Sequence, residues 1–148
     1  MAGVAYYGAS IASTAASNHI RIKYWHPRRC SGGWIDGVCQ GWTEGYYQYD
    51  SIDATINGAV NGGSSNVFVN GMGVARQGDS TAETETYSIP SGWDLEHSDG
   101  GGAGSITIGN SKSVFVNGSP IAVTGSTVST HAGVSTTIKD GSSNVFIG

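Results

Sequence analysis

One short phrase occurs three times in this chain and restricts its fold more than any other feature. Gly63-Ser64-Ser65-Asn66-Val67-Phe68-Val69-Asn70-Gly71 returns as Asn110-Ser111-Lys112-Ser113-Val114-Phe115-Val116-Asn117-Gly118, and again as Gly141-Ser142-Ser143-Asn144-Val145-Phe146-Ile147-Gly148. A second phrase follows the first two copies, as Gly73-Val74-Ala75-Arg76-Gln77-Gly78 and Pro120-Ile121-Ala122-Val123-Thr124-Gly125. The third copy stands at the last residue, and its companion Gly3-Val4-Ala5-Tyr6-Tyr7-Gly8 stands at the other end. Val-Phe-Val is a strand signal. Asn-Gly is a type I′ hairpin signal, because both central residues of that turn need positive φ. Val74-Ala75-Arg76 and Ile121-Ala122-Val123 are the expected return strands. An unpaired Val145-Phe146-Ile147 would expose a strand edge, so Val4-Ala5-Tyr6 is expected to pair with it. The pattern predicts a repeat opened inside one unit, with three equivalent hairpins around one axis. The alternative is a solenoid or meander that does not close.

Composition agrees with short strands and tight turns. Among 148 residues, Gly accounts for 24 and charged residues for only 12%. No long segment carries apolar residues at helical spacing, which predicts an all-β fold. Size predicts one domain over 1–148. Modest hydrophobic content makes the core thin, and a thin core calls for a staple such as a metal, a disulfide or an oligomer contact. A net charge of −4 gives no overall case for a nucleic-acid partner. Met1 to Gly8 lacks the basic start and apolar run of a signal peptide. No stretch approaches the roughly 20 apolar residues of a membrane span. Synthesis in the cytoplasm is the expectation.

The repeated phrases resemble the PAAR-repeat family, named for its Pro-Ala-Ala-Arg motif. Gly63 to Asp79 follows that family's plan, with Gly73-Val74-Ala75-Arg76 at the motif and Gly78-Asp79 after it. The second unit keeps Pro120 but has Val123 for the arginine and Gly125-Ser126 for Gly-Asp. The first has Tyr6 at the arginine position and Gly8-Ala9 after it. The resemblance covers about residues 1–19 and 52–148. It implies a pseudo-threefold β-hairpin cone with a Gly-rich loop apex, here carrying an inserted aromatic-rich loop. Such a cone sits on a trimeric β-helical spike and sharpens a contractile injection machine. The implied function is a non-enzymatic tip that helps pierce a target cell envelope, with transient envelope contact. A phage tail stands first, with the tip on the virion's baseplate spike after assembly in the host cytoplasm. A type VI secretion tip, secreted with its spike, stands second. The chain ends at its last family strand with no toxin extension, which favours the simple tip.

One histidine follows each second phrase: His19 after Gly8, His97 after Gly78 and His131 after Gly125. Three equivalent loops could aim three imidazoles at the axis, and a structural zinc site needs four ligands in tetrahedral array. The resemblance implies one structural metal ion near the apex, typically zinc held by three histidines and a cysteine, with zinc ahead of iron. Cys30 or Cys39 would supply the thiolate, which suits zinc. His26 lies in the same loop and could replace His19. Otherwise the two cysteines form a disulfide or remain buried thiols, and a cytoplasmic assembly route argues against the disulfide. A closed four-ligand site would be structural, leaving no open position for hydrolysis.

Residues 20–50 fall outside the repeat. They carry four of the seven basic residues (Arg21, Lys23, Arg28, Arg29) and three of the four tryptophans (Trp25, Trp34, Trp42), with Tyr24, Tyr46, Tyr47 and Tyr49. The expected role is to fold back and supply core that the repeats lack. A contact with a spike neighbour, or an adhesin-like contact with the envelope, is the alternative. The acidic stretch Asp79, Glu83, Glu85, Asp94, Glu96 and Asp99 reads as solvated loop. Nothing in the sequence links Asp36, Glu44 and Asp50 into a two-carboxylate enzyme site.

Overall fold

The computed structural model describes all residues, 1–148. The chain is all-β: no helix forms, the sheets are antiparallel, and 55% of residues engage in strand pairing. The fold divides into two compact units. The first comprises Met1–Ala16, Ala54–Thr86 and Asp99–Gly148, and the second Ser17–Asp53 and Tyr87–Ser98. The expected insertion at about 20–50 thus lies in the second unit, together with a stretch from the middle of the chain.

The hairpins of the first unit form at the repeated phrase. Phe68–Val69 pairs with Met72–Gly73, and Phe115–Val116 pairs with Ser119–Pro120. The turns need the left-handed backbone that Asn and Gly tolerate: φ is 50° and 82° at Asn70 and Gly71, and 52° and 83° at Asn117 and Gly118. The third hairpin is closed by the two ends of the chain, where Ala2 faces Ile147 and Gly3 faces Phe146. Each return strand is displaced by two residues from the sequence expectation. A two-residue turn pairs its immediate flanks first, so Val69 meets Met72 and the ladder reaches Gly73 before the second phrase is well under way. Val4, Val74 and Ile121 then make one last bond each, to the carbonyls of Val145, Val67 and Val114, at 3.0, 3.0 and 3.1 Å.

The displaced triplets build the axis instead. Ala75 donates its backbone N–H to Ala5, Ala5 to Ala122, and Ala122 to Ala75, at 3.0, 2.9 and 2.9 Å. This closed ring of three backbone bonds is the pseudo-threefold centre of the first unit. All three alanines are fully buried, in one apolar cluster with Ile11, Val60, Ile106, Val128 and Ile138. Gly8, Gly78 and Gly125 then turn the chain at φ of 93°, 94° and 92°, and donate to Val60, Ile106 and Ile138.

Two apolar clusters sandwich the ring. One gathers Val4, Val69, Val74, Val116 and Ile121 beneath the hairpins. The other gathers Ile11, Val60, Ile106, Val128 and Ile138 around the alanines. Each buried aliphatic contributes about 1.5–3 kcal/mol, which offsets the entropy of ordering so Gly-rich a chain. The hairpin tips are tied laterally. Ser64 Oγ donates to Asn117 Oδ1 at 2.7 Å, and Arg76 Nη1 to the same oxygen at 3.0 Å. Ser142 Oγ donates to Asn70 Oδ1 at 2.9 Å. Asn117→Ala should therefore lower stability by about 1–3 kcal/mol, through a strained φ and three lost side-chain bonds, the third from Asn117 Nδ2 to Asn66 Oδ1. Urea unfolding checks this, and Ser65→Ala should change little in the same assay.

Asp79 shows what the Gly-Asp phrase does. Its carboxylate accepts from the Arg76 backbone N–H at 2.8 Å and from the guanidinium at 3.1 and 2.9 Å. The hydrogen bond to Asp79 raises the Arg76 pKa, burial opposes this, and the coulombic pull of Asp79 adds to it. In the next unit Ser126 Oγ accepts from Val123 N–H at 2.9 Å, so the turn survives without the ion pair.

In the first unit the sheet runs from the latter part of Tyr46–Val60 through Ser80–Thr86, Gly101–Ile108 and Thr127–Ser129 to Ser135–Thr137. In the second unit Asp94–His97 pairs with Thr14–His26, which neighbours Tyr46–Val60. The aromatic rings of the second unit do not form a buried core, contrary to expectation. Trp25, Trp34, Trp42, Tyr46, Tyr47 and Tyr49 are all exposed. They pack in pairs instead, such as Trp25 with Tyr47 at 4.9 Å between centroids.

Candidate metal centre

The strand Ser80–Thr86 alternates buried and exposed residues, which puts Thr81, Glu83 and Glu85 on its inner face. Thr81 occupies the place that Ile11 and Val128 hold three residues after the glycine of the other units, and it is equally buried. A hydroxyl inside an apolar core needs a partner. Thr81 Oγ1 accepts from Gly104 N–H at 3.1 Å and donates to Glu83 Oε2. One polar substitution in the repeat thus opens a polar centre.

His131 completes it. Its backbone N–H and Nδ1 lie 2.8 and 2.7 Å from Glu83 Oε1, and its Nε2 lies 2.7 Å from Glu85 Oε1. Both glutamate side chains are fully buried and the imidazole is 8% exposed. Burial lowers the His131 pKa, but hydrogen bonds to Glu85 and Glu83 and the charges of both outweigh it, so the pKa is raised. The glycine run makes room for the ring: a Cβ on Gly102 would stand 2.7 Å from His131 Cβ and Cγ.

The arrangement has the form of a metal-ligand group. Glu85, Asp99 and His131 each bring one ligand atom within 4.8 Å of the others. A carboxylate that binds one imidazole nitrogen fixes the tautomer and leaves the other nitrogen for a metal, and Glu83 holds Nδ1 in that way. One imidazole and two carboxylates suit a borderline divalent ion such as zinc, iron or manganese.

The other expected ligands fare differently. Cys30 and Cys39 are joined in a disulfide within the second unit. Bonded sulfur offers no thiolate, so neither cysteine is a zinc ligand. They stand nine positions apart, and the turn at Asp36-Gly37, which pairs Trp34–Ile35 with Val38–Cys39, folds the chain back between them. His97 ends the strand Asp94–His97 opposite Arg21 and is not in the ligand group. Its distance in sequence from Gly78 carries it past the inner strand and into the second unit. His26 Nε2 lies 2.9 Å from Gln48 Oε1 and the ring stacks on Tyr46 at 4.6 Å. His19 lies on the strand Thr14–His26, in the part belonging to the second unit. Sequence reading missed Glu83 and Glu85, although the alternation Thr81-Ala82-Glu83-Thr84-Glu85 was a signal of one strand face.

Fold and site together define a class: an all-β protein with a pseudo-threefold hairpin centre and a buried histidine–carboxylate group. Compared with protein-family models and with curated proteins, the chain matches none.

Proposed function

We propose that this chain is a non-enzymatic, metal-stabilised tip for a trimeric β-helical spike of a contractile injection machine, a phage tail ahead of a type VI device. The observation that carries the reading is a threefold set of exposed phenylalanines. Phe68, Phe115 and Phe146 are 59%, 56% and 46% exposed, one on each hairpin around the alanine ring. A threefold partner offers the same surface three times, and a pseudo-threefold monomer can meet it with three equivalent side chains. Exposed apolar groups in a repeated array mark a contact face. The resemblance of the repeated phrases to PAAR proteins points to the same partner. One divalent ion at Glu85, Asp99 and His131 would supply charge compensation for buried carboxylates and act as a staple, with zinc ahead of iron.

Light scattering of the chain mixed with a trimeric β-helical spike tests the docking. One chain per trimer is expected. Replacing Phe68, Phe115 and Phe146 together with Ser should weaken the complex at least roughly a hundredfold, as loss of central aromatic contacts does, with the melting temperature little changed. Equal affinity in the triple variant would rule out the phenylalanine face.

A further inference from the structure

The second unit contains a two-stranded ribbon whose ladder is broken at a defined place. Thr14–His26 stops at His26, pairing resumes with Arg29 opposite Thr43 and Cys30 opposite Trp42, and Tyr46–Val60 begins only after Glu44-Gly45. Two residues build the break. Pro27 has no N–H to give a ladder. Gly45 lies under the Trp25 ring, where a Cβ would stand 2.7 Å from the indole Cη2 and 2.9 Å from the His26 carbonyl oxygen. A surface cavity of about 410 Å³ opens there, lined by His26, Pro27, Arg29, Thr43, Glu44 and Tyr46. The His26 and Tyr46 rings form a stacked wall, 17° from parallel.

The lining selects among ligand classes. An aromatic wall offers a flat apolar face, while Arg29 supplies only donors, Glu44 only acceptors and Thr43 both. A cation and an anion in one small cavity disfavour polyanions such as nucleic acid and disfavour lipid tails. They suit an uncharged ring with one apolar face and a rim of hydroxyls, each of which both donates and accepts. A second cavity of about 330 Å³ in the same unit repeats the formula, with Tyr49 beside Arg21, Asp50, Asn18 and Ser51. There Asn18 adopts φ of 55° and its Oδ1 accepts from Ser51 Oγ at 3.2 Å, so an irregular ribbon again re-aims polar side chains. Neighbouring rings are held in place by Lys23 over Tyr47 at 4.6 Å and Arg28 over Trp42 at 3.9 Å. The Cys30–Cys39 bridge staples the ribbon beyond the break. Preorganised aromatic and polar groups lose little entropy on binding.

We infer that the break at Pro27 and Gly45 is a saccharide-binding site for a neutral hexose or N-acetylhexosamine chain, with the Tyr46–His26 wall under a sugar ring and Arg29, Thr43 and Glu44 on its hydroxyls. This inference does not depend on spike docking, and its failure leaves the phenylalanine face untouched. The test titrates the full chain with chitotriose, maltotriose and cellotriose, following tryptophan fluorescence and heat. Heparin and phosphatidylglycerol vesicles serve as the competing chemistries. Saturable binding of at least one neutral trisaccharide below about 10 mM is expected. Glu44→Gln and Tyr46→Ala should each weaken it roughly tenfold or more, while Phe115→Ser leaves it unchanged. Glu44→Gln replaces an exposed side chain and should keep the wild-type melting curve, which separates loss of binding from loss of fold. Binding of heparin or vesicles alone, no binding of any trisaccharide, or unchanged affinity in Glu44→Gln and Tyr46→Ala would overturn the inference.

Discussion

His131→Ala should cost about 3–5 kcal/mol of folding free energy, the range for breaking a buried ion pair by removing one partner. The reason is the pair of carboxylates left behind. Glu83 and Glu85 are fully buried and both bond the imidazole. Glu83 would also keep its bond from Thr81, but Nδ1 and Nε2 would be gone. The same variant should lose its metal, since His131 belongs to the ligand group and Glu83 holds its Nδ1, which leaves Nε2 to face an ion. Inductively coupled plasma mass spectrometry of wild type and variant, beside urea unfolding of each, checks both parts. Wild type is expected to carry about one equivalent of zinc, iron or manganese, and chelation should lower its midpoint, because binding free energy is folding free energy. Protons compete for Nε2 and the His131 pKa is raised, so metal content after dialysis should fall as pH falls through that raised value. A variant with wild-type metal content would remove His131 from the centre.

The second large effect is expected at the axis. Ala75→Leu should destabilise by about 3 kcal/mol, the upper part of the range for overpacking a filled core. Ala5, Ala75 and Ala122 are fully buried and bonded in a closed ring. A bulky side chain on one must push against the aliphatics packed with it, and shifting its backbone strains the ring of three bonds. Ala82→Leu, at an exposed site on Ser80–Thr86, should stay within about 0.5 kcal/mol. Guanidinium midpoints of the two variants make the comparison. Equal midpoints would mean that the ring has room to expand and does not hold the hairpins together.

The repeat made the hairpins legible. Asn-Gly between short apolar runs dictates a two-residue turn, and the two halves at the chain ends implied their own pairing. Ala2 and Gly3 against Phe146 and Ile147 bear that out, with the register moved by two residues. Register was harder to read because Val-Ala-Arg and Val-Phe-Val are equally good strand formers. Only the tertiary pairing of the three copies decides that the alanine triplet leaves the hairpin and bonds its two counterparts. Residue type alone points to histidines and cysteines as metal ligands and gives no reason to choose glutamates in an acidic stretch. Of the expected ligands, His131 lies beside Glu85 and Asp99 in the first unit. Cys30 and Cys39 meet each other across a turn whose closure depends on Asp36 and Gly37 at positive φ, a local feature that had no reason to stand out among so many glycines.

By itself, then, the sequence determined the local chemistry of this protein. It set where the backbone must turn left-handed, where strands alternate, and that one phrase builds three hairpins. Those properties depend on neighbours a few residues apart. The tertiary structure decided which side chains lose water together. Thr81 becomes a buried hydroxyl only because its repeat-mates Ile11 and Val128 sit in the core. Glu83 and Glu85 become a histidine clamp only because His131, more than forty residues on, folds over Gly102. Burial and proximity are properties of the packed chain. They turn an acidic stretch that reads as solvated loop into the polar centre of the first unit.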